Sequence, residues 1–179
     1  MAELIRVAFR QLGGEPDALP LVPPWFLPGA EAVWQRIGET ERALRALVRD
    51  VYATKFGDAA AATIQAKLPE RERETLARAL RTRPPGSDPL TVVDYLYLGQ
   101  LPALLFASAV WQYVKPKLNG AADAKQLLQV AIAQIAPVRN EIAHVREVAP
   151  DRLLRATVAC GDVLGLLSAT RLGNAHMNQ

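Results

Sequence analysis

Cysteine is almost missing from this chain. Cys160 is the only one in 179 residues, so no disulfide can form within the chain, and the count argues against a thiolate zinc site. Its surroundings, ATVACGDVLGLL, are apolar and helix-like, which predicts a buried and inert thiol. Histidine is nearly as scarce, with His144 and His176 the two examples. Asp and Glu show no paired motif of the usual spacing, so a dedicated metal site is hard to assemble, and neither a metal nor another cofactor is expected. A phosphate-binding Gly-rich loop, a dinucleotide-binding Gly pattern and a Ser-His-Asp order are also lacking. So are strand signals: there are no long alternating β-branched runs and no Asn-Gly hairpin turns.

What remains is ordinary globular composition, 50% apolar and 22% charged. The length suits one well-buried core. With 21 basic and 18 acidic residues the net charge is +3, which permits contact with RNA or DNA without demanding it. Charges at Glu3, Arg6 and Arg10 interrupt the first segment, so a secretory signal is not expected and the chain reads as cytoplasmic. Residues 95–114 carry no formal charge and have aromatics near both ends, as a membrane span would. Gly99, Gln100, Pro102, Ser108 and Gln112 interrupt that run, however. The reading is a central helix of a compact bundle, with no membrane contact.

Along the chain, a short amphipathic segment at residues 2–12 ends at Gly13-Gly14, and the linker EPDALPLVPPWFLPG follows. Residues 1–28 are therefore set apart as an N-terminal helix and Pro-rich arm, in which Trp25 and Phe26 suggest packing against the body. A first long helix is predicted over residues 30–55, with Val33, Ile37, Leu44, Leu47, Val48 and Val51 at three- and four-residue spacings. A second helical region spans 58–83 and is interrupted at Pro69. After the loop RTRPPGSDP come a short element at 91–98 and an apolar helix over 101–118. Another helix starts near Ala121, bends at Pro137 and continues to about Val148. Pro150 opens the last helix, and residues 173–179 fray. The fold class is all-α, a single-domain bundle of about five helices over residues 29–172.

Within this frame, PVRNEIAHVREV places Arg139, Asn140 and His144 on one otherwise apolar helix. Rotation at ~100° per residue puts Ile135, Val138, Ile142 and Val145 on one stripe. Asn140, His144 and Glu147 fall opposite, and Arg139 lies between the two sides. His144 is thus not a core histidine. Either the polar side is simply solvated, or it is a site in which Asn140 and His144 are neighbours one turn apart. Spacing alone does not choose.

The segment Arg139-Asn140-Glu-Ile-Ala-His144 resembles the signature of HEPN domains (higher eukaryotes and prokaryotes nucleotide-binding), an Arg followed after four to six residues by His. In that family the residue after Arg is typically polar, often Asn. VWQRIGETERALRALVRDVYATKFGD and DYLYLGQLPALLFASAVWQYV are similar to the first long helix and the middle segment of one branch. That branch holds a transcript-surveillance endoribonuclease domain and bacterial defence proteins. The likeness covers residues 29–172. It implies a bundle that forms a homodimer, setting two motif copies in one cleft, and active members are metal-independent endoribonucleases. Other members are inactive and serve as dimerisation or regulatory modules that bind a partner protein or nucleotide.

RNA brings its own nucleophile, the 2′-OH beside the scissile phosphate. An imidazole titrating near neutrality serves as base or acid, which is the role the resemblance implies for His144. Arg139 suits the phosphate, being always charged and able to fork onto two oxygens. Asn140 either orients His144 or donates to the phosphate. Glu147 either holds the imidazolium or is a plain surface acid, the latter being the simpler reading. Arg146 guides the RNA backbone or is solvated. Trp25, Trp34 and Trp111 stack bases or, as is commoner in bundles, fill cores and subunit contacts. His176 lies in a polar tail where disorder is the expectation. The reading is therefore an RNA-cleaving defence or toxin effector leaving 2′,3′-cyclic phosphate ends, with an inhibitory or regulatory protein as a further expected partner. The competing reading is a silent member of the same family.

Overall fold

A computed structural model describes residues 29–84, 86–119 and 122–167. The N-terminal segment, the Pro-rich arm, the tail with His176, and the expected helix start at Ala121 lie outside the described residues. Those described form no strand. They form seven α-helices: α1 (Ala30–Phe56), α2 (Ala60–Ala66), α3 (Glu70–Leu80), α4 (Leu101–Leu105), α5 (Ser108–Val114), α6 (Ala124–Ala143) and α7 (Pro150–Leu167). Short 3-10 turns at Pro89–Tyr95, Leu98–Gln100 and Lys115–Lys117 link them.

α1, at 27 residues and so ~40 Å long, is the axis of the bundle. Its predicted stripe of Val33, Ile37, Leu44, Leu47, Val48 and Val51 is buried throughout. Each such side chain fully withdrawn from water contributes about 1.5–3 kcal/mol. α7 packs along both α6 and α1, and α1 also touches α2, α4, α5 and α6. Cys160 of α7 is buried against Thr40 of α1. Burial pushes its thiol up, and the Thr40 hydrogen bond offsets this in part, as suits an inert core thiol.

Two predicted boundaries give way. The single helix expected over 101–118 is broken, because Ala107 is extended (φ −55°, ψ 128°). The break turns both halves toward the core, so that Leu101, Leu104 and Leu105 are buried together with Val110 and Val114. Phe106 closes the corner, its ring 5.8 Å from that of Trp111 in an edge-on contact. With these pieces and the expected division at Pro69, the described residues form seven helices where about five were expected. Among the described residues no helix is long and apolar enough to cross a membrane.

The second correction falls on the motif. α6 runs through Pro137 as one helix. The N–H that proline lacks would have bonded Ala133, and both residues are exposed, so the freed carbonyl faces water. But α6 stops at Ala143 instead of continuing to about Val148. Val145, expected on the apolar stripe, is 94% exposed.

α3 is the most lightly attached helix. Leu76 is its one buried residue, and Gln100 Nε2 donates to Glu72 Oε2 at 2.6 Å beside it.

Candidate functional site

The end of α6 is a well-formed Schellman motif. The Val145 N–H donates to the Ile142 carbonyl at 2.9 Å, and the Arg146 N–H to the Glu141 carbonyl at 2.8 Å. Such a motif requires a left-handed residue just past the cap, usually glycine. Here it is Val145, at φ 54°, a strained position for a β-branched side chain. The Glu141–Arg152 ion pair, 2.9 Å, ties the end of α6 to the first turn of α7. His144 is thereby held at the C-cap, its N–H donating to the Asn140 carbonyl at 3.1 Å.

Asn140 and His144 are both exposed, on the side away from the core that the rotation indicated. Their side chains make no hydrogen bond or ion pair among the described residues. Glu147 and Arg146 are exposed as well. Arg139 behaves differently. It reaches across to α1, where its Nε donates to Glu41 Oε1 at 3.0 Å. The other carboxylate oxygen of Glu41 meets Arg45 Nη2 at 2.9 Å, and Arg45 Nη2 also donates to the Leu96 carbonyl at 2.9 Å. One acid therefore joins two arginines from different helices. The Arg139 guanidinium also sits over the Trp34 ring, 5.8 Å from its centroid.

Local sequence explains this arrangement. Trp34, Glu41 and Arg45 are spaced by seven and four residues, which aligns them along one side of α1. Glu41 follows Ile37 and precedes Leu44 on the buried stripe and is itself only 7% exposed. An acid in that place needs a cationic partner. Its position among apolar spacings was the available signal for this residue, which the sequence reading passed over.

The chemistry of Arg139 is set by which of its atoms are engaged. Nε is taken by Glu41, neither Nη group makes a hydrogen bond among the described residues, and the side chain is 23% exposed. The carboxylate thus fixes the guanidinium through Nε and leaves its Nη donors without a hydrogen bond among the described residues. Arg139 and His144 do not meet within one chain. Five residues apart on a helix, they project in different directions, one toward α1 and one to solvent.

Among the described residues no three His, Cys, Asp or Glu side chains gather as a metal-binding group. Comparisons with protein-family models, with curated proteins and with solved structures return no match to this chain.

Proposed function

We propose that the chain is an endoribonuclease of the HEPN kind, working as a homodimer without a metal ion. The observation that carries this reading is Arg139, held by Glu41 through Nε with no hydrogen bond at its Nη donors among the described residues, directly before an exposed Asn140 and five residues before an exposed His144. In the reaction, His144 of one subunit removes the 2′-OH proton. The 2′-oxygen then attacks phosphorus, and the 5′-oxygen leaves with a proton from His144 of the partner subunit. The products are a 2′,3′-cyclic phosphate and a 5′-OH. Arg139 neutralises the phosphate as charge builds on it, and Asn140 steadies an imidazole or donates to the same group.

A second copy is needed because the base and acid roles both fall to His144, and Arg139 and His144 of one chain project in different directions. The outer side of α6 suits such a contact. Leu127 and Val130 are 46% and 52% exposed, and no charged residue lies between Lys125 and Arg139. This side continues through Pro137 to Asn140 and His144, so a twofold contact along it brings the two motifs together. Biologically, the resemblance points to a defence or toxin effector.

A second reading is favoured by the engagement of Arg139 itself. An arginine that bridges Glu41 and Trp34 also serves the fold, so the same residues suit a silent module that dimerises or binds a regulatory partner. One assay separates the two. A nuclease cleaves single-stranded RNA in EDTA, yields cyclic phosphate ends, and loses activity as His144→Ala. No cleavage by the dimeric protein, or cleavage only with added divalent metal, supports the silent module or a different chemistry.

A further inference from the structure

Three tryptophans were candidates for contact with bases, and the structure separates two of them. Trp111 is half-buried, with Phe106 edge-on and Lys125 Nζ 5.8 Å from its ring centroid. Trp34 is 41% exposed. It makes no other aromatic or cationic contact than that with Arg139 among the described residues. Gly38, one turn on, has no side chain to lie over the indole, and even a Cβ there would meet only Arg42 Nη1, at 3.4 Å. Glu31 and Gln35 beside it are exposed polar residues. Trp34 is therefore a large aromatic on a polar surface, held by a cation on one face.

We propose that Trp34 is a stacking platform for an unpaired nucleobase whose adjoining phosphate is gripped by Arg139. This rests on the RNA reading above and names the part of the substrate the site recognises. Stacking needs a flat, open π surface, and every base has a face to offer it. Phosphate binding needs an open guanidinium fork. Here the guanidinium carbon stands 5.8 Å from the indole centroid over one face of the ring, so a base stacked on the opposite face has the Arg139 donors across the ring from it, with sugar and phosphate spanning the ring edge. The cation–π contact limits the motion of both groups before RNA arrives, so less ordering is left to binding. Because stacking is indifferent to hydrogen-bond pattern, the platform selects unpaired over paired RNA and does not select one base.

The test uses the full chain and a labelled single-stranded RNA that is 2′-O-methylated throughout, which removes the nucleophile and lets binding be read without cleavage. A matched oligonucleotide carries abasic sites. Wild type should bind the base-bearing strand at least about 5-fold more tightly than the abasic one, the lower end of what a single stacked base contributes. Trp34→Leu should abolish that preference and Trp34→Phe should keep most of it, with melting temperatures near wild type. An equal affinity of wild type for both strands, or a preference that survives Trp34→Leu, overturns the proposal. So does a Trp34→Leu variant that keeps the base preference but loses self-association in light scattering, which would make Trp34 a protein contact. The nuclease reading fails separately. A Trp34-dependent base preference without cleavage of natural RNA in EDTA leaves the platform standing, and cleavage indifferent to Trp34 leaves the nuclease standing.

Discussion

Glu41 and Arg139 stand 98 positions apart in sequence and 3.0 Å apart in space. Between them they join α1 to α6, and Glu41 holds Arg45 with its other oxygen. The two partners are not equivalent. Removing Glu41 leaves two partly buried guanidinium groups without their shared carboxylate, whereas removing Arg139 leaves Glu41 still paired. Glu41→Ala is therefore expected to cost about 2–4 kcal/mol in urea unfolding, and Arg139→Ala about 1–2 kcal/mol, part of it lost packing of the side-chain stem. An Arg139 variant less stable than the Glu41 variant would show that the cluster is not what holds these helices together.

His144 carries no such structural duty. Its side chain is exposed and its backbone bonds survive truncation. His144→Ala should change stability by no more than about 0.5 kcal/mol while lowering RNA cleavage by ~100-fold or more. Thermal melts beside single-turnover cleavage read both quantities. A variant that melts like wild type and still cuts RNA at the full rate would remove His144 from the chemistry.

Val145 offers a stabilising change. Its left-handed backbone costs a residue with a Cβ about 1–2 kcal/mol, and a side chain 94% exposed buries almost nothing in return. Glycine relieves the strain but gives the unfolded chain more freedom. Val145→Gly should thus stabilise by about 0.5–1 kcal/mol, which raises the melting temperature by ~1–4 °C. A fall would mean that this turn takes another shape in solution.

Tyr52 gives the fold an alkaline limit. Its ring is fully buried, its hydroxyl donates to the Leu104 carbonyl at 3.2 Å, and burial pushes the phenol up from 10.0 to about 12. Between those values the unfolded chain has released the proton and the folded one retains it, so stability falls as pH rises through that window. The loss by pH 12 is of order 2–3 kcal/mol. Tyr52→Phe should flatten this limb in denaturant titrations from pH 9 to 12, and a limb that keeps its slope would assign the loss to other groups.

Much of the bundle is legible in the sequence because its cues are local. The spacing of Val33, Ile37, Leu44 and Val48 predicts both α1 and its buried side, and Pro69 and Pro150 mark real helix starts. Exposure of Asn140 and His144 follows from rotation about the helix axis. The misses are tertiary. Nothing between Leu101 and Leu118 signals a stop at Ala107, and the break there follows from packing two short helices onto α1. The stripe Ile135, Val138, Ile142 predicts that the helix carries Val145 onward, yet the chain turns to α7, where Glu141 meets Arg152. The partner of Arg139 was beyond reach of any local pattern, although an acid among the apolar positions of α1 called for one.

The light attachment of α3 has a dynamic consequence. With Leu76 its single buried residue, this helix has little apolar contact to lose when it detaches, so it can open while α1, α6 and α7 stay folded. Its amides should exchange with solvent deuterium well before those of α1, on a timescale set by local opening and not by unfolding of the whole. The bundle in that sense joins a body expected to exchange slowly to one helix expected to exchange faster at its edge.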